Sequence, residues 1–416
     1  MTHSRPLVLD ELDAQIEARL VGSPMSSGRR LLGIELERLV LHRETQESAP
    51  LEFCRQLLAD LVDAFGAEGW SEHGVLAKLR GPDFGISLEP GGQLEVDAGP
   101  CADLDGLEVV FRRVTQAIEA RLAATPYTLF AFGHAPRTRV ADLGLLPRPR
   151  YRIMDKAMPE RGALARHMMR ATAGTQLTCD FADREDAGRK MALTNRLVPV
   201  LTALTANSRL AEGADTGYAS FRHRVWWETD PSRCGIPEGA LDADTAVDGY
   251  VRFARRALTL FVHRGEEVVA ADGRPFEDLV AAGGLSEADL QLHLSSLFPF
   301  VRLRNYLELR CFDTVRWTLA KGVLALVSGV VYCPNATAAA WDLSEQLAIR
   351  DPAALREFHI AAARDGLDAS VPGGPKFRDL AGQLLDFACS TLGGPDCTWG
   401  STADLDVVRQ RIDAGD

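Results

Sequence analysis

The sequence predicts an α+β fold in which an antiparallel sheet is backed by helices. Three observations predict it. Strands and helices are mixed along the chain, without the regular alternation of an all-parallel sheet. Two alternating runs flank a Pro-Gly-Gly turn in FGISLEPGGQLEVD, 84–97, which is a strong hairpin signal. Nearly everything from residue 315 onward has helical character. The 416 residues exceed what one simple core usually needs. The expected division is a sheet-bearing core over 1–314, with a helical region, 315–416, packed on it.

Taken in order, residues 1–8 read as a loose tail and 9–22 as a short amphipathic helix. Residues 31–42 alternate as a strand does. Leu32, Ile34, Leu36, Arg38 and Val40 fall on one side, and Gly33, Glu35, Glu37 and Leu39 on the other. Helical spacing recurs over 52–68 and 104–124, on either side of the hairpin. YTLFAFGH, 127–134, reads as a strand and is followed by a Pro- and Arg-rich connection, 135–150. A helix opens near Met158-Pro159, and TAGTQLTCDF, 172–181, is a Thr-rich strand. Residues 185–206 form a long helical stretch, and SFRHRVWWETD, 220–230, alternates again as a strand would. Residues 243–263 are helical, 264–284 a small decoration or hairpin, and NYLELRCFD, 305–313, a strand. Helices are expected at 315–332, 338–348, 352–364, 375–392 and 402–413.

The net charge of −12 argues against a general affinity for nucleic acid, which needs a basic face. No stretch approaches the roughly 18 consecutive apolar residues of a membrane span. The nearest, LAKGVLALVSGVVY at 319–332, is shorter and carries Lys321. The N-terminus lacks an apolar core of signal-peptide length, so a cytoplasmic protein is expected. The eight cysteines, at 54, 101, 179, 234, 311, 333, 389 and 397, form no CxxC pair. They read as free thiols of a reducing compartment rather than a disulfide framework or a zinc site.

The acids carry the chemistry. Residues i and i+2 of a strand point the same way, so Glu35 and Glu37 project together, and two ionised carboxylates that close repel unless a cation lies between them. If the hairpin loop is Pro90-Gly91-Gly92, Glu89 pairs with Gln93, and Glu89, Gln93 and Glu95 share a face. NYLELRCFD adds Glu308 and Arg310, again two apart. Acids on one side are also what a half-solvated sheet shows. Three such strands, beside Gly-Gly and Arg, point instead to a site for several Mg²⁺ ions, which are usually held by a few carboxylates and substrate phosphates. That combination suggests ATP chemistry. There is no GxxxxGK[ST], and no GxGxxG follows a strand, so metals and cationic side chains would have to hold the phosphates. Arg222, Arg224, Arg233 and Arg310 are the cations at hand.

Several phrases then coincide in order: GIELER (33–38), ISLEPGGQLEVDAGP (86–100), MPERGALARHMMRATAGTQLTCDF (158–181), ALTANS (203–208), GYASFRHRVWWETDPSRCG (217–235) and HLSSLFPFVRLRNYLELR (293–310). Together they resemble the plant and proteobacterial type of glutamate–cysteine ligase, including the actinobacterial ligase of ergothioneine biosynthesis. The resemblance implies a glutamine synthetase-like catalytic fold: a curved antiparallel sheet of about six strands surrounded by helices, with a helical C-terminal region. It implies that ATP phosphorylates the γ-carboxylate of L-glutamate, and that the amine of L-cysteine attacks the γ-glutamyl phosphate. The product, γ-glutamylcysteine, would serve glutathione or ergothioneine biosynthesis.

By the same resemblance the metal ligands would be Glu35, Glu37, Glu89, Glu95 and Glu308. Related ligases carry a histidine where this chain has Gln176, which is then a candidate for the nucleotide. Arg310 would contact phosphate and, with Glu308, serve catalysis. Arg222 and Arg233 would bind substrate carboxylates, and Trp226 and Tyr218 would line the substrate pocket or the core. Gly91 and Gly92 read as turn residues, and His293 as a packed or capping residue. The partners implied are L-glutamate, L-cysteine and ATP, with neither nucleic acid nor membrane. Two other readings stay open: a γ-glutamyl ligase for a different amine, and a non-catalytic nucleotide- or glutamate-binding homologue.

Overall fold

The computed structural model describes residues 5–22, 30–394 and 397–414. Among them, nine strands form one sheet: β1 (Leu32–His42), β2 (Glu68–Glu72), β3 (Val75–Arg80), β4 (Phe84–Leu88), β5 (Leu94–Cys101), β6 (Tyr127–Phe130), β7 (Gly174–Cys179), β8 (Val301–Leu303) and β9 (Leu307–Asp313). The order across the sheet is β8-β9-β7-β1-β5-β4-β3-β2, with β6 on the far half of β1. Every pairing is antiparallel.

One face of this sheet is the core. Leu32, Ile34, Leu36, Ile86, Val96 and Leu177 are all at most 2% exposed. Helices Leu51–Phe65, Leu104–Leu122 and Trp317–Tyr332 pack against strands β3, β5 and β7 respectively. Each fully buried Val, Leu or Ile contributes roughly 1.5–3 kcal/mol, so a slip of one residue, which would turn this set outward, is strongly disfavoured. That pressure fixes the register in which the other face presents its acids: Glu37 opposite Glu95, and Glu35 opposite both Asp97 and Gln176. The hairpin closes as the alternation requires, with Glu89 N donating to Gln93 O at 2.9 Å. Gly92 takes φ +90°, a conformation side chains disfavour. A Cβ on Gly91 would strike the Arg170 carbonyl.

Several segments depart from expectation. SFRHRVWWETD is not a strand: Phe221–Trp227 is a helix, capped by the Ser220 side chain, which accepts from His223 N. Its alternation of aromatic and charged residues fits a period of two by coincidence. Among its buried residues, Phe221, Arg222, His223, Val225 and Trp226, the pairs 221/225 and 222/226 have helical spacing. The strand expected at 127–134 stops at Phe130, because β6 pairs only with Leu39 to His42. The helix expected near Met158 begins at Pro149, a residue suited to a helix's first turn, and Met158–Glu160 is a 3-10 turn. The helix Ala246–Arg256 ends early, and Phe261–Arg264 pairs with Glu267–Ala270. The hairpin of β2 and β3 was not legible, because β2 is exposed along most of its length and has no apolar alternation. The tail is tied down where described: Leu7 N donates to Leu285 O at 3.0 Å, and residues 1–4 lie outside the described residues.

The helical C-terminal stretch packs on the core through Trp317–Tyr332, Pro352–Asp365 and Phe377–Cys389. Cys333 and Cys397 form a disulfide with Cα atoms 6.2 Å apart, which overturns the expectation of eight free thiols. The two are 64 residues apart, and only helix packing brings them together. Among the described residues no single helix is long and apolar enough to cross a membrane.

Candidate active site

A cavity of about 410 Å³ lies over the second face of the sheet. Its acidic wall consists of Glu35 and Glu37 from β1, Glu95 from β5 and Glu89 from the hairpin turn. Facing them is a basic wall of Arg302, Arg304 and Arg310 from the β8–β9 ribbon, and Arg148 and Arg150 from the entry to helix Pro149–Ala157. Trp226, Phe298, Met168 and Met169 supply an apolar corner.

The acids are held in unequal ways. Glu37 accepts from Gly174 N at 2.5 Å and from Gln176 Nε2 at 3.2 Å. Glu95 accepts from Ser87 Oγ at 2.9 Å. Burial, and then the charge of Glu308, raise Glu35 to about 7. Burial and then Glu37 raise Glu89 to about 7. Glu95 is pushed well above the ordinary carboxylate range by burial and by Glu35, Glu89 and Glu37. This wall is therefore a set of buried hard oxygen donors whose ionisation the arginines opposite offset only in part, and such a set fits divalent cations. Among the described residues no three His, Cys, Asp or Glu groups close around one point. Mg²⁺ usually completes its shell with waters and substrate phosphates, so carboxylates that supply only part of that shell are compatible with it.

Glu308 stands apart. It lies on the same face, opposite Thr178, but Arg302 grips it through Nε at 3.1 Å and Nη2 at 2.7 and 2.8 Å, and Arg310 bonds it as well. Burial alone would raise its pKa, but Arg302, Arg310 and Arg304 override this and hold it at about 2. It sets the basic wall in place rather than lining the cavity. Gln176 links the two walls, donating to Glu37 and accepting from Arg310.

The residues expected to bind substrate separate. Trp226 lines the cavity, with its Nε1 buried and without a partner. Arg222 does not line the cavity: it is 1% exposed, packed over Gly174 on the same face of the sheet as Gln176, with Nη1 donating to Arg310 O at 3.2 Å. Arg233 is fully buried and engaged by Asp230 at 2.7 Å, by Ser296 O at 3.0 Å and by Leu258 O. Tyr218 stacks with Arg224, 4.9 Å from guanidinium carbon to ring centre, outside the cavity. Of these four, only Arg222 and Trp226 lie on the helix Phe221–Trp227; Tyr218 precedes it and Arg233 follows it. His293 is packed as expected, stacked on Phe276 with Nε2 2.7 Å from Ala254 O.

Sequence reading passed over Arg148, Arg150, Arg302, Arg304 and Lys78 as site residues, and all five line the cavity. Lys78 is paired with Asp97 at 2.7 Å, and Arg148 with Glu72 at 2.5 Å. Arg150 has no ion pair among the described residues, and its Nε is buried without a partner. The signal was present in PRPRYR, 147–152, where three arginines recur every second residue beside a turn.

Comparison with known proteins identifies relatives of the chain as a whole. A sequence model of glutamate-cysteine ligase family 2 matches residues 31–386. The chain is 28% identical over 369 residues to glutamate–cysteine ligase B, chloroplastic, of Oryza sativa subsp. japonica, covering 87% of this chain and 73% of that one. It is 28% identical over 348 residues to the chloroplastic glutamate–cysteine ligase of Arabidopsis thaliana, covering 82% and 66%. A solved glutamate–cysteine ligase of Francisella tularensis, in complex with AMP, shares the fold with a TM-score of 0.53 at 12% identity, over 92% of this chain and 82% of that one.

Proposed function

The chain belongs to glutamate–cysteine ligase family 2, and from that premise we propose that the cavity is where it joins the γ-carboxylate of L-glutamate to the amine of L-cysteine with ATP as co-substrate. One arrangement carries this reading: four glutamates on one wall face five arginines on the other. A ligase that forms an acyl phosphate must gather several anions, and phosphoryl transfer depends on positioning and charge neutralisation more than on covalent help.

Glu35, Glu37, Glu89 and Glu95 are the residues we assign to Mg²⁺, with Glu308 assigned to holding Arg302 and Arg310. Bound there, Mg²⁺ would neutralise charge on the phosphates. The chain's own part is to bind and orient. Arg310, fixed by Glu308 and Gln176, presents its guanidinium to the phosphate or to the phosphorylated carboxylate. Arg150 Nε and Trp226 Nε1 are donors buried without a partner, an arrangement that costs free energy until a ligand supplies the acceptor. Both line the cavity, whereas Arg222, whose Nε is likewise buried without a partner, and Arg233 do not, so we assign amino-acid substrate binding to Arg150 and Trp226. The corner of Trp226, Phe298, Met168 and Met169 excludes water from the reacting carboxylate.

Residues 1–314 would hold all of these groups, and 315–416 would support them. γ-Glutamylcysteine is a precursor for either glutathione or ergothioneine. A cytoplasmic setting belongs to the same proposal, since six of the eight cysteines are unpaired and ATP is required. The test is ADP release by the purified protein with Mg²⁺, ATP and L-glutamate as amines are added one at a time. A large rise with L-cysteine and a γ-glutamylcysteine mass is expected. A rise with another amine alone would replace the acceptor, and no release with any amine would favour a non-catalytic homologue.

A further inference from the structure

We propose that Asp313 is a positioning residue for the ligase reaction, acting through the helix Phe221–Trp227 on the Trp226 corner of the cavity. The inference rests on the assignment of that cavity as the active site. Asp313 ends β9 and is fully buried. Its Oδ2 accepts from Asn207 N at 2.8 Å and Ser208 Oγ at 2.6 Å, and its Oδ1 accepts from Ser220 Oγ at 2.8 Å. A Cβ on Gly133 would press into the carboxylate, so that glycine leaves it room.

The direction of these bonds is forced. An ionised carboxylate has acceptors only, so both serine hydroxyls must donate to it. Their lone pairs are then turned to the first-turn amides of the helix: Ser208 Oγ accepts from Arg222 N at 3.0 Å, and Ser220 Oγ accepts from His223 N at 3.2 Å. One buried charge therefore orients two hydroxyls, and the two hydroxyls cap one short helix, whose unpaired amides would otherwise be left without acceptors.

That helix carries Trp226, which lines the cavity, and Arg222, which supports groups that do. Arg222 lies against Gly174, whose amide bonds Glu37, and donates to the Arg310 carbonyl. Trp226 lies beside both the Arg222 and Arg310 guanidiniums, each 5.7 Å from its ring centre. A rotation of the helix by a fraction of a turn would move the Trp226 indole and the support of Arg310 together. Asp313 does not line the cavity, and its side-chain bonds run to the two serines that cap this helix and to Asn207, so the helix is the path by which its carboxylate reaches the Trp226 corner.

Asp313→Asn keeps the shape but replaces one acceptor by a donor, which must face one of the three donor groups. The measurement is KM for ATP, L-glutamate and L-cysteine in Asp313→Asn, Trp226→Phe and the double variant. The expected result is a rise of about tenfold in an amino-acid KM in each single variant, with KM for ATP within about twofold. The double variant should be no worse than the more impaired single variant, because both changes act at one corner. If Asp313→Asn does not fold, Ser208→Ala and Ser220→Ala, each of which loses one bond of the same chain, carry the measurement. Unchanged KM values with only a loss of folded protein, or effects that multiply in the double variant, would overturn the inference. Glu37→Gln separates the two levels. If Glu37→Gln kills turnover and Asp313→Asn leaves every KM unchanged, only the positioning role fails. If Glu37→Gln is fully active, the site assignment fails and the inference with it.

Discussion

Two groups of buried charge in this chain behave oppositely. Around Asp230–Arg233 and Glu308–Arg302, each carboxylate meets a guanidinium at close range and the remaining donors find backbone or side-chain partners. Around Glu35, Glu89 and Glu95, the carboxylates face one another, and the arginines opposite are engaged elsewhere or, like Arg150, have no ion pair among the described residues. Charges satisfied within the chain hold its architecture. Charges left wanting mark where ligands complete the balance.

That contrast can be broken at either end. The largest effect is expected from Arg233→Met, which leaves the buried Asp230 with only the longer Arg161 ion pair, at 3.2 Å: a loss of about 3 kcal/mol of stability. Denaturant unfolding would read it, with substrate KM values unchanged in whatever remains folded. Next is Glu37→Gln, on the open side, where turnover should fall by roughly a hundredfold or more with little change in unfolding midpoint. Wild-type turnover in that variant would remove Glu37 from the site. A smaller change is expected from Arg150→Met: an increase of about tenfold in KM for an anionic substrate, with stability within error. An unaltered set of KM values would return Arg150 to a structural role.

The smallest effect concerns pH, and its sign differs between the two groups. Glu35 and Glu89, raised from 4.5 to about 7, hold protons more tightly folded than unfolded. The cost of ionising them, set first by burial and then by Glu308 for Glu35 and Glu37 for Glu89, is absent below 4.5 and complete above about 7, so the metal-free protein should lose stability as pH rises through that window. Glu308 is lowered from 4.5 to about 2, so its contribution is present above 4.5 and lost as pH falls through 2. Melting curves of the metal-free protein should show Glu35→Gln gaining a few degrees above neutral pH, and Mg²⁺ should shrink that gain. A Glu35→Gln variant that melts lower than the parent at every pH would show that ionising the buried Glu35 carries no such cost.

The β1 strand and the Pro-Gly-Gly hairpin were legible because a period of two and a tight turn are local properties, and burial of one face leaves a single register. From that register Glu35, Glu37, Glu89 and Glu95 follow as one wall. The segment 220–230 was misread because its aromatic and charged residues satisfy two periods at once, and only the Ser220 cap and the packing of Arg222 select the helix. The basic wall was half legible: Arg310 stood out beside Glu308, whereas Arg148 and Arg150 lay in what read as a connection.

The sequence by itself determined the antiparallel α+β architecture, the family motifs and the acidic wall, because each is encoded within a few consecutive residues. Tertiary structure alone decided which arginines face that wall, which carboxylate is already neutralised, and which two of eight cysteines meet. Those choices depend on contacts between segments tens to hundreds of residues apart. At such separations pairing is set by the packing of whole elements, and no local pattern records it.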